Sequence, residues 1–427
     1  MIKKNYNFYR WSIWGILVIS FVTVFFHRLS MGAVADDLNR ELGISGVILG
    51  NLTSMTFYSY ALMQIPVGIM VDTVGVRKIC SIGMAVTAIG SVMFGFSQGI
   101  LLAYISRFII GIGTSVIVVS IMKVQAQWFS SRKFSTLSGI TSFCGNVGVL
   151  LATFPLTYLV LSIGWRNTFF MLGVITIIIA CGIYIIVRDN PEELGFESVH
   201  KSESNKNLKR GILDVIKNKY TWSNFIVIFS LVGSTTALLG LWGIPYISQV
   251  YSITKQKASW YLSFISFGFI IAAPIVGKLS DFLGGEIKKI LYVTTITFTM
   301  VWIYILIVFD GMPPIKHLPV LFFILGLCVI THILLFTNVK EVNNMSFSGI
   351  ATAVVNVGEF IGSALISILI GLVLENNWSG QIIDGVKIYS LNDYKMAFIF
   401  MIGAGIISIF GVFVMKDVKE HSTQRVK

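Results

Sequence analysis

The sequence predicts an all-α membrane protein with about twelve transmembrane helices in two pseudo-symmetric six-helix bundles. Three observations carry that prediction. Of its 427 residues, 55% are hydrophobic and only 12% are charged, about half the charge of a typical soluble domain. The apolar residues gather in continuous runs of about 20, the length that crosses a hydrocarbon core. A short polar motif recurs in the two halves of the chain at a fixed displacement. Mean hydropathy is +0.82, so most of the surface faces something other than water, which excludes a soluble enzyme.

The runs follow in order. The first six are Trp11 to Leu38, Val47 to Val71, Ile79 to Phe96, Ile100 to Lys123, Phe134 to Leu159 and Trp165 to Arg188. The second six are Trp222 to Ile247, Ala258 to Ser280, Ile290 to Phe309, Leu318 to Asn338, Gly349 to Leu374 and Tyr394 to Met415. They are long and unalternating, unlike the ten-residue alternating strands of an outer-membrane barrel. MIKKNYNFYRW at the start is followed by no small-residue cleavage site, so the first run reads as a retained span. Between the sixth and seventh runs lies the polar stretch DNPEELGFESVHKSESNKNLKRGILDVIKNKYT. It divides the chain into bundles at 1–188 and 222–427, with 189–221 as a cytoplasmic linker that ends in a short surface helix near Ile212–Lys219.

Charge placement orients the spans. With the N-terminus inside, 22 of the 32 Lys and Arg fall in cytoplasmic segments and seven in outer loops. Basic residues stay on the cytoplasmic side, so both termini are expected there, in a plasma (inner) membrane. The net charge of +12 therefore reports topology and not a nucleic-acid partner. Cys80, Cys144, Cys181 and Cys328 all lie in apolar runs without metal-ligand spacing, as small core hydrophobes do.

The recurrent motif supports the two-bundle division. Gly68, Asp72 and Gly75 in GIMVDTVGVRK return as Gly277, Asp281 and Gly284 in GKLSDFLGGEIKK, 209 residues later. Each copy closes the second span of its half on the same membrane side, which implies a pseudo-twofold axis along the membrane normal. G-x-x-x-D-x-x-G-x-R-K (Gly68, Asp72, Gly75, Arg77, Lys78), together with Arg107-Phe108-Ile109-Ile110-Gly111-Ile112-Gly113 in span four, resembles the signatures of the major facilitator superfamily. The resemblance covers nearly the whole chain and implies the major facilitator fold. FHRLSMGAVADDL and YALMQIPVGIMVD are similar to the organic anion:cation symporter branch. That branch carries an Asp-Arg pair in span one for proton coupling and anion binding, and here the pair is His27-Arg28. Organophosphate antiporters pair an Arg in span one with one in span seven, whereas Trp222–Ile247 contains no charge.

A few polar side chains inside the spans are the candidate site. Arg28 sits among apolar neighbours, where an exposed Arg costs about 2.5–3.5 kcal/mol or more, so it faces the bundle interior. There it either binds an anionic solute with its planar fork or pairs with a carbonyl or Asp36. His27 points about 100° away and either titrates during transport or packs neutral. Glu359 lies deep in span eleven on a stripe with Asn356, Ser363 and Ser367. It either carries a proton and meets a cation or pins the helix to a neighbour. Tyr60 and Gln64 share a face of span two, and Trp242 and Tyr246 flank Pro245 in span seven, as solute contacts or as packing. Arg107 is a packing partner or part of the coupling route. Asp72, Arg77, Lys78, Asp281 and Lys288, at the cytoplasmic ends of paired helices, form a gating clamp. The small-residue face of span five (Ser138, Thr141, Gly145, Gly148, Ala152, Pro155) suits a sliding contact between the halves or a static groove.

No HExxH or GxxxxGKS motif occurs, so the chain is expected to be no enzyme and no nucleotide-driven pump, without cofactor or metal. The leading expectation is a monomeric secondary transporter that moves a small organic anion, a carboxylate, by proton-coupled symport. Alternatives are a carrier of a neutral or zwitterionic solute (amino acid, peptide or sugar) and a transporter-like receptor that senses a ligand without moving it.

Overall fold

The computed structural model describes residues 6–196, 208–282, 286–344 and 347–416. Twelve helices of spanning length follow one another: α1 Tyr6–Leu42, α2 Gly46–Val74, α3 Val76–Gly95, α4 Ile100–Trp128, α5 Thr136–Ile163 and α6 Trp165–Ile186, then α7 Lys219–Val250, α8 Lys255–Ser280, α9 Ile287–Val308, α10 Ile315–Glu341, α11 Ser348–Asn377 and α12 Leu391–Val414. Eleven of them combine spanning length with apolar composition among the described residues. The other, α2, has 29 residues, about 44 Å at 1.5 Å per residue, which exceeds a ~30 Å hydrocarbon core. Between α6 and α7 a ten-residue helix, Leu208–Lys217, forms. The strands described are β1 Ile382–Ile383 and β2 Val386–Lys387, an antiparallel pair with Ile382 opposite Lys387.

Apolar side chains populate both the inside and the outside of the molecule. Leu101, Ile185, Val293, Phe282 and Phe413 are each more than 60% exposed. Water tolerates few such patches, but acyl chains do. The chain is a multi-pass membrane protein.

Contacts divide the chain into two compact units, 1–44 with 55–204 and 45–54 with 205–427. The first turns of α2 thus cluster with the second unit, and the rest of α2 with the first. Inside unit one, Ile13, Leu17, Val67, Met84, Ile117 and Trp128 form one core. The span-four glycines are explained by close approach. A Cβ on Gly111 would collide with the Thr56 carbonyl of α2, and one on Gly113 with the Gly83 carbonyl of α3. The small-residue face of α5 packs inside this unit too. Gly145 meets Phe21 of α1, and Gly148 meets Val22 and Phe25. Ser138 and Thr141 bond the Gln125 amide of α4. These glycines let α1 seat its aromatics against α5.

Several spans depart from regular helix. α1 breaks at Ser30, between Leu29 and Met31. α7 contains two wide turns, Ile228–Val232 and Leu238–Trp242. The second ends three residues before Pro245, which has no N–H to give the helix. α10 tightens to a 3₁₀ turn at Ile330–His332.

Candidate solute-binding residues in each unit

In unit one, Arg28 is 6% exposed. Its guanidinium carbon lies 4.7 Å from the Tyr60 ring centre and 5.4 Å from that of Phe25, a range in which ring faces attract cations. One turn beyond Tyr60 on the same helix, the Gln64 side chain is buried, and its Nε2 has no hydrogen-bond partner among the described residues. A cation, an aromatic face and a buried amide donor thus come from α1 and α2.

His27 takes the other side of α1. Fully buried, its Nε2 lies 3.0 Å from Thr176 Oγ1 of α6. The Thr176 hydroxyl donates to the Leu172 carbonyl at 2.6 Å. The threonine proton is therefore spoken for, so His27 donates through Nε2–H. The structure does not bring His27 to the Tyr60–Gln64 face.

Arg107 is also fully buried. Its Nη1 donates to the His27 carbonyl at 2.7 Å and to Ser30 Oγ at 3.4 Å. Ser30 Oγ donates to the same carbonyl at 3.3 Å. The guanidinium also lies 5.8 Å from the Phe94 ring centre. Arg107 thereby fixes the backbone one residue before Arg28, which no motif or spacing revealed.

In unit two, Glu359 and Asn356 are half-buried on α11, while Ser363 and Ser367 on the same stripe are fully buried. Ser363 Oγ donates to the Glu359 carbonyl at 2.7 Å. His332 Nδ1–H donates to the Val329 carbonyl at 2.8 Å. His332 sits in the 3₁₀ turn of α10, and the sequence offered only an isolated histidine in an apolar run. Trp242 and Tyr246, each 1% exposed, direct their polar atoms inward. Trp242 Nε1 donates to the Ser367 carbonyl at 3.0 Å, and Tyr246 Oη to the Gly311 carbonyl at 2.7 Å. Tyr246 packs edge-on against Tyr394 and Phe398.

The gating candidates separate by partner. Asp72 pairs with Lys123 at 3.1 Å, and Lys123 Nζ also donates to the Val71 carbonyl at 2.6 Å. Arg77 does not reach Asp72: its Nε donates to the Tyr184 carbonyl at 2.7 Å, above the Tyr184 ring. Its backbone N–H donates to Asp189 Oδ1 at 2.8 Å, so Asp189 satisfies an orphan donor at the start of α3. Gly75 has φ +101°, and the Asp189 carboxylate occupies the space a Cβ would need. Lys78 is exposed. In the second copy, Lys288 Nζ donates to the carbonyls of Phe413 and Met415, both at 2.9 Å. Each copy's cation thus serves carbonyls at the C-terminal end of the last helix of its half, where the helix dipole favours it. Gly284 and the Asp281 side chain lie outside the described residues.

These features find relatives. A model of the Major Facilitator Superfamily matches residues 16–365 and again 233–427. The chain is 24% identical over 294 residues to a probable L-galactonate transporter of Escherichia coli, covering 66% of this chain and 64% of that one. It is 23% identical over 303 residues to a probable hexose phosphate transport protein of Chlamydia trachomatis, covering 66% of each. The chain spans just under two-thirds of the length of these curated relatives. Among solved structures, an inward-facing, unoccupied bacterial homologue of the human lysosomal transporter Spinster superposes with a TM-score of 0.73 at 15% identity, covering 95% of this chain and 96% of that one. With signatures, helix order and a family match across its length in agreement, the chain belongs to the Major Facilitator Superfamily.

Proposed function

We propose that the chain is a secondary transporter that moves a small organic anion, a carboxylate, by alternating access in symport with protons. It acts as a monomer in a plasma membrane, with both termini in the cytoplasm. The observation that carries this reading is the Arg28–Tyr60–Gln64 group. A guanidinium offers a carboxylate two parallel donors, and the Tyr60 ring holds the guanidinium in place. The buried Nε2 of Gln64 has no acceptor among the described residues, and an orphaned donor costs about 1–3 kcal/mol. An anion seated there recovers that cost.

The relatives support the same class, since galactonate is a carboxylate. For hexose phosphate the charge count is unfavourable. No Asp, Glu, Lys or Arg lies between Tyr220 and Val250 of α7, so α7 supplies no second cation for a phosphate dianion. The proton rests with Glu359. It is a half-buried carboxylate on the stripe of α11 that also carries Asn356, Ser363 and Ser367, and an ionisable side chain inside the membrane marks a solute or proton path. Arg107 positions Arg28, His27 ties α1 to α6, and Trp242 and Tyr246 shape α7.

The test is uptake into liposomes under an imposed pH gradient, acidic outside, across sugar acids, dicarboxylates, hexose phosphates, amino acids and neutral sugars. A carboxylate should accumulate and a protonophore should collapse it. Glu359→Gln should retain exchange of internal for external solute while losing accumulation. Preference for a neutral solute contradicts the anion assignment, and accumulation that survives Glu359→Gln contradicts the proton assignment.

A further inference from the structure

Two features at one end of unit two have no part in moving a solute. The first is a furrow between α7 and α12, lined by Phe225, Ile226 and Phe229 of α7 and by Ile406, Ile407 and Phe410 of α12. All six are apolar, and the three from α12 are 46% to 61% exposed. Small residues draw the two helices together. A Cβ on Gly411 of α12 would meet Val227 and the Ser223 carbonyl of α7, and the hydroxyls of Ser230 and Ser408 share a hydrogen bond of 2.7 Å. An apolar channel of this kind, open to the bilayer, loses dispersion contacts unless a chain fills it.

The second feature is a pair of cations at the ends of the same two helices. Lys219 opens α7, and Lys416 stands two residues past the end of α12. Both side chains are exposed. Their ammonium groups lie 5.1 and 5.8 Å from the centre of the Tyr220 ring, within reach of its face. Among the described residues neither is paired with a carboxylate.

One stripe of α7 joins the two features. Lys219, Trp222, Ile226 and Phe229 follow 3, 4 and 3 spacing, which places them on one side of a helix. Trp222 packs edge-on against Phe225, ring centres 5.3 Å apart, and Phe225 stacks on Phe229. The Trp222 indole N–H donates to the Ile216 carbonyl at 2.8 Å, in the last turn of the helix Leu208–Lys217. An indole with its ring among apolar groups and its N–H on a polar one is seated as at a membrane–water boundary. The cations therefore stand at headgroup level, above the furrow.

We propose that this is a binding site for an anionic glycerophospholipid. One acyl chain lies in the α7–α12 furrow, and the phosphate meets Lys219 and Lys416. A zwitterionic lipid fills the furrow equally well, but its own cation offsets the charge that the lysines would meet. The site concerns the surrounding lipid, so it stands whether or not the solute is a carboxylate.

Trp222 reports on the site directly. The chain has nine tryptophans, so the Trp222 signal is taken as the difference between the full-length protein and its Trp222→Phe variant. Both are reconstituted in phosphatidylcholine vesicles with rising fractions of phosphatidylglycerol brominated on its acyl chains, which quenches an indole that it touches. The reciprocal series brominates the phosphatidylcholine. Phosphatidylglycerol should be preferred at Trp222 by about five- to thirtyfold, the range for one to two cations near an anionic surface. In Lys219→Gln/Lys416→Gln, with and without Trp222→Phe, the preference should fall to about twofold or less. Lys219→Gln alone, expected to lose about fivefold, is read in the same way should the double variant fail to give monodisperse protein. A wild-type preference near one overturns the site. So does a preference that survives the loss of the lysines, which would mark ordinary boundary lipid.

Discussion

The two units treat buried charge in opposite ways. Unit one hides two cations within its spans, Arg28 and Arg107, at 6% and 0% exposure. Unit two carries its anion, Glu359, half-buried. Within unit one the treatment differs again. Arg107 gives one guanidinium nitrogen to the His27 carbonyl and Ser30, while its Nε and Nη2 have no hydrogen-bond partner among the described residues; Arg28 lies against the Tyr60 and Phe25 rings.

The comparison can be broken where it is strongest. Arg107→Ala removes a fully buried side chain and leaves the His27 carbonyl only the longer bond from Ser30 Oγ. A loss of about 2–5 kcal/mol is expected, read as denaturant unfolding in detergent, with little folded protein at 37 °C. Gly75→Ala places a Cβ at φ +101° against the Asp189 carboxylate and should cost about 1–3 kcal/mol. Asp189→Asn keeps an acceptor for the Arg77 N–H and should cost less than Gly75→Ala in the same assay.

Smaller effects separate solute contacts from packing in unit two. Tyr246→Phe deletes one hydrogen bond, to the Gly311 carbonyl, and should cost about 0.5–1.5 kcal/mol while leaving solute affinity unchanged. An affinity loss without a stability loss would return Tyr246 to the site. Lys288→Met withdraws a cation from the C-terminal end of α12 and should cost about 0.3–1 kcal/mol, the smallest change of the set.

The helical architecture was legible because bilayer thickness imposes a run length that no other environment demands. The 209-residue repeat made the two halves visible for the same kind of reason: one geometry needs the same residues twice. What a motif's residues touch was less legible. Sequence grouped Asp72 with Arg77, yet Asp72 found Lys123 and Arg77 found a helix end, because backbone carbonyls are partners that no residue code announces. Arg107 and His332 depended on local helix breaks at Ser30 and Ile330–His332, where several residue types would serve.

Arg28 and Gln64 carry the central claim, and equilibrium binding tests it most directly. Intrinsic tryptophan fluorescence or calorimetry in detergent would measure the affinity of the best transported carboxylate and of its neutral amide analogue. Wild type, Arg28→Ala and Gln64→Leu are compared, with unfolding midpoints recorded for each. Loss of a charge-assisted pair worth about 1.5–3 kcal/mol predicts that Arg28→Ala weakens the carboxylate about 10- to 150-fold. Gln64→Leu should weaken it less, and neither should weaken the amide by as much. Equal losses for carboxylate and amide, or carboxylate binding untouched by Arg28→Ala, would contradict the account.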